Sequence, residues 1–259
     1  MTVDLAGRAE AAGRAAPARR AALVTGGGRG IGAAIALRLA RDGADVAVTY
    51  VRAPGRAAEV VREIEAAGGR GLAIAADAAD PVAVAAAVDR AAAEFGRLDI
   101  LVNNAGIAPY GPLEDVGAEE VDRTLAIHVR AAFVAAQAAA RHLGPGGRVI
   151  TIGSSLAERV PYPGWTLYSM SKSAVTGLTR GLARDLGPRG ITANVVHPGS
   201  TDTEMNPADS PDAEFERGFT ALGRYGRAEE VAAMVAHLAG PEGGYVTGAS
   251  IAVDGGYTA

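Results

Sequence analysis

The segment Ala21-Ala22-Leu23-Val24-Thr25-Gly26-Gly27-Gly28-Arg29-Gly30-Ile31-Gly32 constrains the fold more than any other stretch of the chain. A short apolar run ends in glycines, and apolar residues then return at Ile31, Ile35 and Leu39, the spacing of one helix face. Strand, tight turn and helix therefore follow one another directly. Glycine has no Cβ, so the turn can bend sharply and its amides can come close to a ligand. The helix starting there presents unpaired N–H groups and a positive dipole end, which together suit a phosphate. Such a unit opens dinucleotide-binding sheets, although the spacing Gly26-x-x-x-Gly30-x-Gly32 departs from the G-x-G-x-x-G of the wider Rossmann group. A glycine turn needed only for close packing looks the same locally, so the rest of the chain has to decide.

From Ala21 onward, short apolar runs alternate with longer helical stretches, and no linker separates two halves. Strands are expected from Ala21 to Thr25, Asp45 to Tyr50, Gly71 to Asp77, Ile100 to Asn103, Arg148 to Ser154, Ile191 to His197 and Ser250 to Asp254. Several are almost wholly apolar, as parallel strands covered on both faces are. Between them, Val60, Val61 and Ile64 mark a helix closed by Ala67-Gly68-Gly69, and Pro81 opens another that runs to Phe95 behind Asp80 as N-cap. The pattern predicts an α/β chain: a single doubly wound Rossmann domain over residues 21–259, its seven-stranded, mostly parallel sheet flanked by helices on both faces. Residues 1–20 have no apolar stretch of signal-peptide type and read as a mobile Ala/Arg arm. The polar segment from about 200 to 226 is either a surface excursion or, the reading preferred here, a substrate lid.

Composition excludes several function classes. A net charge of -4 provides no basic face for nucleic acid or an anionic membrane. The absence of cysteine rules out disulfides, thiolate metal sites and a cysteine nucleophile, which fits a reducing, cytoplasmic setting. No run approaches the length of a spanning helix. The histidines His128, His142, His197 and His237 show no metal-ligand spacing, so no metal is expected.

Residues at the end of the second strand select between dinucleotides, an acid there pairing with the ribose hydroxyls of NAD. Tyr50-Val51-Arg52 contains no acid, while Arg29 lies in the glycine turn. Two guanidiniums are then available to a 2′-phosphate, which makes NADP(H) the expected cofactor; two solvated arginines are the plain alternative.

Further along, Tyr168 and Lys172 stand four residues apart, one helical turn, where a lysine cation can lower the phenol pKa and let it trade a proton near neutrality. With the glycine turn, this pair suggests nucleotide-dependent redox chemistry.

Taken together, Thr25 to Gly32, Asp77, Asn103-Asn104-Ala105-Gly106, Ser155, Tyr168, Lys172 and Pro198-Gly199-Ser200-Thr201-Asp202-Thr203 resemble the short-chain dehydrogenase/reductase family, and the likeness covers Ala21 to Ala259. Ser155 precedes Tyr168 by 13 residues, the family's usual interval, and this spacing favours it over the adjacent Ser154. The resemblance implies that Tyr168 gives its proton to a substrate carbonyl as hydride arrives, that Ser155 hydrogen-bonds the same oxygen, and that Lys172 depresses the tyrosine pKa and holds the nicotinamide ribose. It further implies that Gly26, Gly28, Arg29, Gly30, Ile31 and Gly32 form the cofactor turn, with Tyr50 and Arg52 at the selector position. Asn104, Ala105 and Gly106 would lie along the cofactor, Asp77 would meet the adenine amino group, and Pro198, Gly199, Thr201 and Thr203 would form the nicotinamide side, Thr203 at the carboxamide. Asp77 as a turn acid and Thr203 as a loop hydroxyl are the alternatives.

One position departs from the family. Where an asparagine normally supports a water linking the lysine to solvent, this chain carries His128, five residues before Phe133. His128 takes over through its carbonyl or imidazole, or the relay is weakened, or it is a tolerated helix histidine. Tyr162, Trp165, Leu167, Met205, Phe215 and Phe219 either line an apolar carbonyl pocket or pack under a loop. The segment TDTEMNPADS from Thr201, with AVDGGYTA at the end, also resembles a bacterial subgroup of small-ketone reductases, polyketide-type reductases and a nucleotide-binding regulator. The expected activity is NADPH-dependent reduction of a ketone, 3-oxoacyl or polyketide-type carbonyl on a small-molecule substrate, reversible to alcohol oxidation, most like the 3-oxoacyl-carrier-protein reductases. The alternative is a nucleotide-binding regulator with little turnover. A homotetramer follows from the resemblance alone.

Overall fold

A computed structural model describes residues 19–259. The N-terminal arm, up to residue 18, lies outside the described residues; Arg19 Nε donates to Asp45 at 3.0 Å, and Arg20 donates to the Ala239 carbonyl. The central strands are β1 (Ala21–Val24), β2 (Asp45–Tyr50), β3 (Gly71–Ala75), β4 (Ile100–Asn103), β5 (Arg148–Ile152) and β6 (Thr192–Pro198). Two short strands follow, β7 (Thr201–Asp202) and β8 (Gly226–Arg227), and then β9 (Ser250–Val253). The main sheet has seven strands in the order β3-β2-β1-β4-β5-β6-β9, and every neighbouring pair is parallel. The order reverses direction between β1 and β4, so the crevice for a ligand opens at the carboxyl ends of those strands.

Both faces are covered. Alternate residues of each strand point to opposite sides, which is why nearly continuous apolar strands are needed. Ala22, Val24, Val46, Val48, Ile100, Val102, Ile150 and Ile152 belong to one core. It is closed by α1 (Gly30–Arg41), α2 (Pro54–Ala66) and α8 (Ala228–Ala239) through Ile35, Leu39, Val60, Ile64, Val231 and Val235. Leu23, Ala47, Leu101 and Val149 face the other core. There α3 (Pro81–Phe95), α5 (Ala131–Ala139) and α6 (Thr166–Leu186) contribute Val84, Val88, Ala135, Ala139 and Leu186. Asp80 caps α3 as expected, its carboxylate accepting from the Val82 amide at 2.8 Å. Helix α4 (Ala118–Leu125) passes through a π-helical turn, Ala126–Arg130, into α5. The short α7 (Ala213–Arg217) sits in the excursion after β6.

Two features lay beyond the sequence pattern. β5 ends at Ile152 rather than Ser154, leaving Gly153 and Ser154 just past the strand's carboxyl end. The segment from 200 to 226 is not wholly irregular: β7 pairs with β8, Thr201 to Gly226 and Asp202 to Arg227, which ties its two ends together. Strands of two residues are too short to show any period.

Candidate active site

The glycine turn is packed against the end of β4. Gly26 has φ +63°, and a Cβ there would lie 3.0 Å from Ala105 Cα; at Gly32 it would lie 2.5 Å from both Asn104 Nδ2 and the Gly26 carbonyl. Side chains are excluded at both positions. Asn104 ties the turn down, its Nδ2 donating to the carbonyls of Thr25 at 2.9 Å and Gly26 at 3.2 Å, while Thr25 Oγ1 accepts the amides of Asn104 and Ala105. Asn104 is thus a strut of the turn. Arg29 is the N-cap of α1 yet makes no side-chain cap bond, and the first turn holds no acid, so the leading amides remain for an anion. Arg29 and Arg52 are exposed, and Tyr50 closes β2. Asp77 accepts the Ala79 amide at 2.9 Å, which makes it a turn acid in the described geometry.

Across the turn stands the chain after β6. A Cβ on Gly30 would lie 3.4 Å from Thr203 Cγ2, so Thr203 packs directly over the glycine turn. Gly199 lies against Asp254, and Thr201 Oγ1 donates to the Gly199 carbonyl at 2.9 Å. Arg56 and Glu204 form an exposed ion pair at 2.8 Å between the first turn of α2 and this segment. The chain after β6 and the glycine turn therefore meet, through Thr203 and Gly30, at the carboxyl edge of the sheet.

Tyr168 and Lys172 share one face of α6, with Lys172 Nζ 5.7 Å from the centre of the tyrosine ring. Lys172 is buried, and its ammonium donates to the Ile152 carbonyl at 3.0 Å; burial brings its pKa down to about 8. Burial acts on Tyr168 in the opposite sense and raises the phenol, opposed by the hydroxyl of Ser154. Of these two influences on the phenol, desolvation of the phenolate is the larger.

Of the two adjacent serines, Ser154 is the one whose hydroxyl bears on the Tyr168 phenol, favouring the phenolate. Ser155 is the next residue, in the short 3-10 turn Ser155–Ala157, where its carbonyl accepts the amides of Glu158 and Arg159. The interval from Ser154 to Tyr168 is 14 residues, set by the loop before α6.

Two buried histidines brace this arrangement. His197 Nδ1 lies 3.0 Å from the Ser154 amide nitrogen and 2.8 Å from its carbonyl oxygen, and Nε2 lies 2.9 Å from Ser250 Oγ. It fits because residue 153 is glycine: a Cβ there would lie 2.4 Å from His197 Nδ1. His128, in the π-helical turn, accepts the Ile107 amide on Nε2 at 3.0 Å and faces Ser171 Oγ with Nδ1 at 2.7 Å. Its pKa falls to about 3 through burial, reinforced by the nearby Lys172 charge. The imidazole is thus engaged at both nitrogens, and burial favours its neutral form.

An aromatic chain borders Tyr168. Trp165 lies edge-on to it with ring centres 5.4 Å apart, Tyr110 lies 4.8 Å beyond Trp165, and Tyr162 stacks on Phe219 at 5.5 Å. Phe215 and Tyr257 extend the cluster. Tyr162 donates to Glu216, which also accepts from Ser200 Oγ at 2.6 Å, so the cluster joins the segment after β6 to the loop before α6.

The family model described as enoyl-(acyl carrier protein) reductase matches residues 26–258. A short chain dehydrogenase from Burkholderia cenocepacia, solved in complex with NADP, is 60% identical with a TM-score of 0.92, over 93% of this chain and 98% of that one. The chain belongs to the short-chain dehydrogenase/reductase family. A cyclic-di-GMP-binding biofilm dispersal mediator protein of Escherichia coli K12 is 45% identical over 92% of this chain and 96% of its own length. A probable tetrahydroxynaphthalene reductase of Zymoseptoria tritici is 37% identical over 91% of this chain and 93% of its own. In this short-chain dehydrogenase/reductase the structure brings the glycine turn, Tyr168, Lys172 and the chain after β6, all singled out in the sequence, to one edge of the sheet. No sequence signal marked His197 or Ser171 for a site role. Isolated serines and histidines carry no period, and only the fold brings these together. Among the described residues no helix is long and apolar enough to cross a membrane.

Proposed function

We propose that the chain is an NADPH-dependent carbonyl reductase, reversible to alcohol dehydrogenase, with Tyr168 as general acid and base. The observation that carries this reading is the meeting of Ser154, Tyr168 and Lys172 at the edge of the sheet that also holds the glycine turn. The cofactor fits the residues present: the uncapped N-terminus of α1 suits a pyrophosphate, and Arg29 and Arg52, with no acid after β2, suit a 2′-phosphate. Bound there, the cofactor supplies the hydride. Tyr168, kept protonated by burial, delivers its proton to the carbonyl oxygen as negative charge develops on it. Ser154 donates a hydrogen bond to the same oxygen and, between turnovers, steadies the phenolate. Lys172, buried and anchored by the Ile152 carbonyl, places a cation beneath the phenol and is positioned to hold a ribose hydroxyl. The aromatic chain from Tyr110 through Trp165 to Phe219 supports a planar ketone, of the polyketide type, or a 3-oxoacyl chain.

The name of the Escherichia coli relative favours a second reading, a nucleotide-binding regulator with little turnover. A binding module has no need of a phenol matched to a serine and a lysine, so the enzyme reading is preferred. Loss of NADPH absorbance with a panel of acyl thioesters, cyclic ketones and aromatic polyketide mimics separates them. Turnover abolished by Tyr168→Phe supports the enzyme; tight binding without turnover on any substrate supports the regulator. A homotetramer, proposed from family membership, leaves Phe133 on α5 and Met170 on α6 as exposed apolar side chains available for burial between copies. Light scattering gives the oligomeric state.

A further inference from the structure

We propose that His128 is a positioning residue, a neutral imidazole carrying its proton on Nδ1, which ties the chain after β4 to the catalytic turn of α6 and so sets the placement of Tyr168. The donor logic admits one tautomer. The Ile107 amide can only donate, so Nε2, 3.0 Å away, accepts and has no proton. Nδ1 then donates to Ser171 Oγ at 2.7 Å, and the Ser171 hydroxyl passes its own hydrogen to the Tyr168 carbonyl at 2.7 Å. The chain Ile107 amide, His128, Ser171, Tyr168 carbonyl is complete and runs one way. His128 and Ser171 are both buried, so water does not compete for these bonds.

The ring does a second job. It stands edge-on to the Tyr168 ring, centres 5.7 Å apart and planes at 87°, and limits how far the phenol can tilt. The imidazole reaches inward from the π-helical turn Ala126–Arg130, whose wider coil sets its direction. Gly106 leaves it room: a Cβ there would lie 3.3 Å from His128 Nε2 and 3.7 Å from Lys172 Nζ. Protonation would place a donor against the Ile107 amide and a second buried cation beside Lys172, which agrees with the depressed pKa.

This inference rests on Tyr168 as the proton donor, and the test separates the two. Tyr168→Phe is measured first on the substrate found by the carbonyl panel. Then His128→Asn, Ser171→Ala and the double variant are compared for kcat, NADPH affinity by fluorescence, and the pH dependence of kcat. Misplacing the phenol predicts a fall in kcat of about tenfold or more in each single variant. The double variant should be no slower than the worse single one, NADPH affinity should stay within about twofold, and the pH profile should not move. Independent losses that multiply, an unchanged kcat, or an acidic limb displaced in His128→Asn would each overturn the proposal. Nitrogen-15 NMR of the wild-type protein checks the tautomer without any variant. An Nδ1-protonated ring that persists on acidification is the expected signal, and an Nε2-protonated ring refutes it even if His128→Asn fails to fold.

Discussion

Ser154→Ala and Ser155→Ala, made separately, decide which hydroxyl serves the reaction. Ser154 is 7% exposed and Ser155 3%, so both truncations are internal and comparable in burial. Only Ser154 bears on the Tyr168 phenol. Removing one hydrogen-bond donor from a developing oxyanion costs roughly 3–4 kcal/mol, a fall in kcat on the order of 10²- to 10³-fold. Ser154 Oγ also accepts the Leu156 amide at 3.2 Å as the cap of the turn that follows. Losing that cap costs about 1 kcal/mol of stability, a drop in Tm of roughly 2–4 °C for a chain of this size. The loss of rate must therefore far exceed what destabilisation explains. Ser155→Ala keeps the carbonyl that binds Glu158 and Arg159, and its kcat should change by less than about tenfold. The pH profile adds a signed check. The Ser154 hydrogen bond favours the phenolate, so its loss raises the Tyr168 pKa further, and the rise of alcohol oxidation with pH should move to higher pH in Ser154→Ala alone. Steady-state kinetics in both directions with thermal melts measures all of this. A Ser155→Ala enzyme that loses activity beside a competent Ser154→Ala enzyme would falsify the assignment.

Lys172→Met should abolish turnover yet raise Tm at neutral pH. The folded lysine releases its proton near about 8 and the unfolded one near 10.5, so stability rises with pH across that window and the penalty is full below it. That penalty is roughly 3 kcal/mol, less about 1 kcal/mol for the lost bond to the Ile152 carbonyl; a gain that failed to shrink between the two pKa values would contradict the burial argument. Arg52→Asp should cut kcat/KM for NADPH by about 10- to 100-fold and spare NADH, with Arg29→Ala acting in the same direction; an unchanged preference would show that both guanidiniums are merely solvated. Gly153→Ala should displace His197, because its Cβ would come within 2.4 Å of the imidazole, costing about 1–3 kcal/mol and slowing turnover; wild-type stability and rate would show that His197 does not hold Ser154 in place.

How much was legible beforehand follows from which features are periodic. The seven strands of the main sheet, the helix starts at Pro81 and after the glycine turn, and the pair Tyr168 and Lys172 are all carried by local spacing, and the structure has them. Which of Ser154 and Ser155 faces the tyrosine depends on where β5 ends, a property of sheet pairing with β4 and β6 rather than of any count along the chain. His197 and Ser171 were invisible for the same reason: each matters through a partner more than forty residues away or across a helix turn.

His128 shows the limit most clearly. In the sequence it was only a departure from a family pattern, with relay and tolerance equally open. In the structure an amide on one side and a serine on the other occupy both ring nitrogens, which supports the positioning role proposed for it. A buried ring so engaged lowers the freedom of whatever it touches, and what it touches is the turn carrying Tyr168 and the chain beside the cofactor turn. The site is therefore stiffened from two directions, by His128 at the tyrosine and by His197 at the serine. Tyr168 and Ser154 are thus each braced by a buried imidazole, while Lys172 is held by the Ile152 carbonyl, and a site whose groups must keep their geometry through turnover gains from that rigidity.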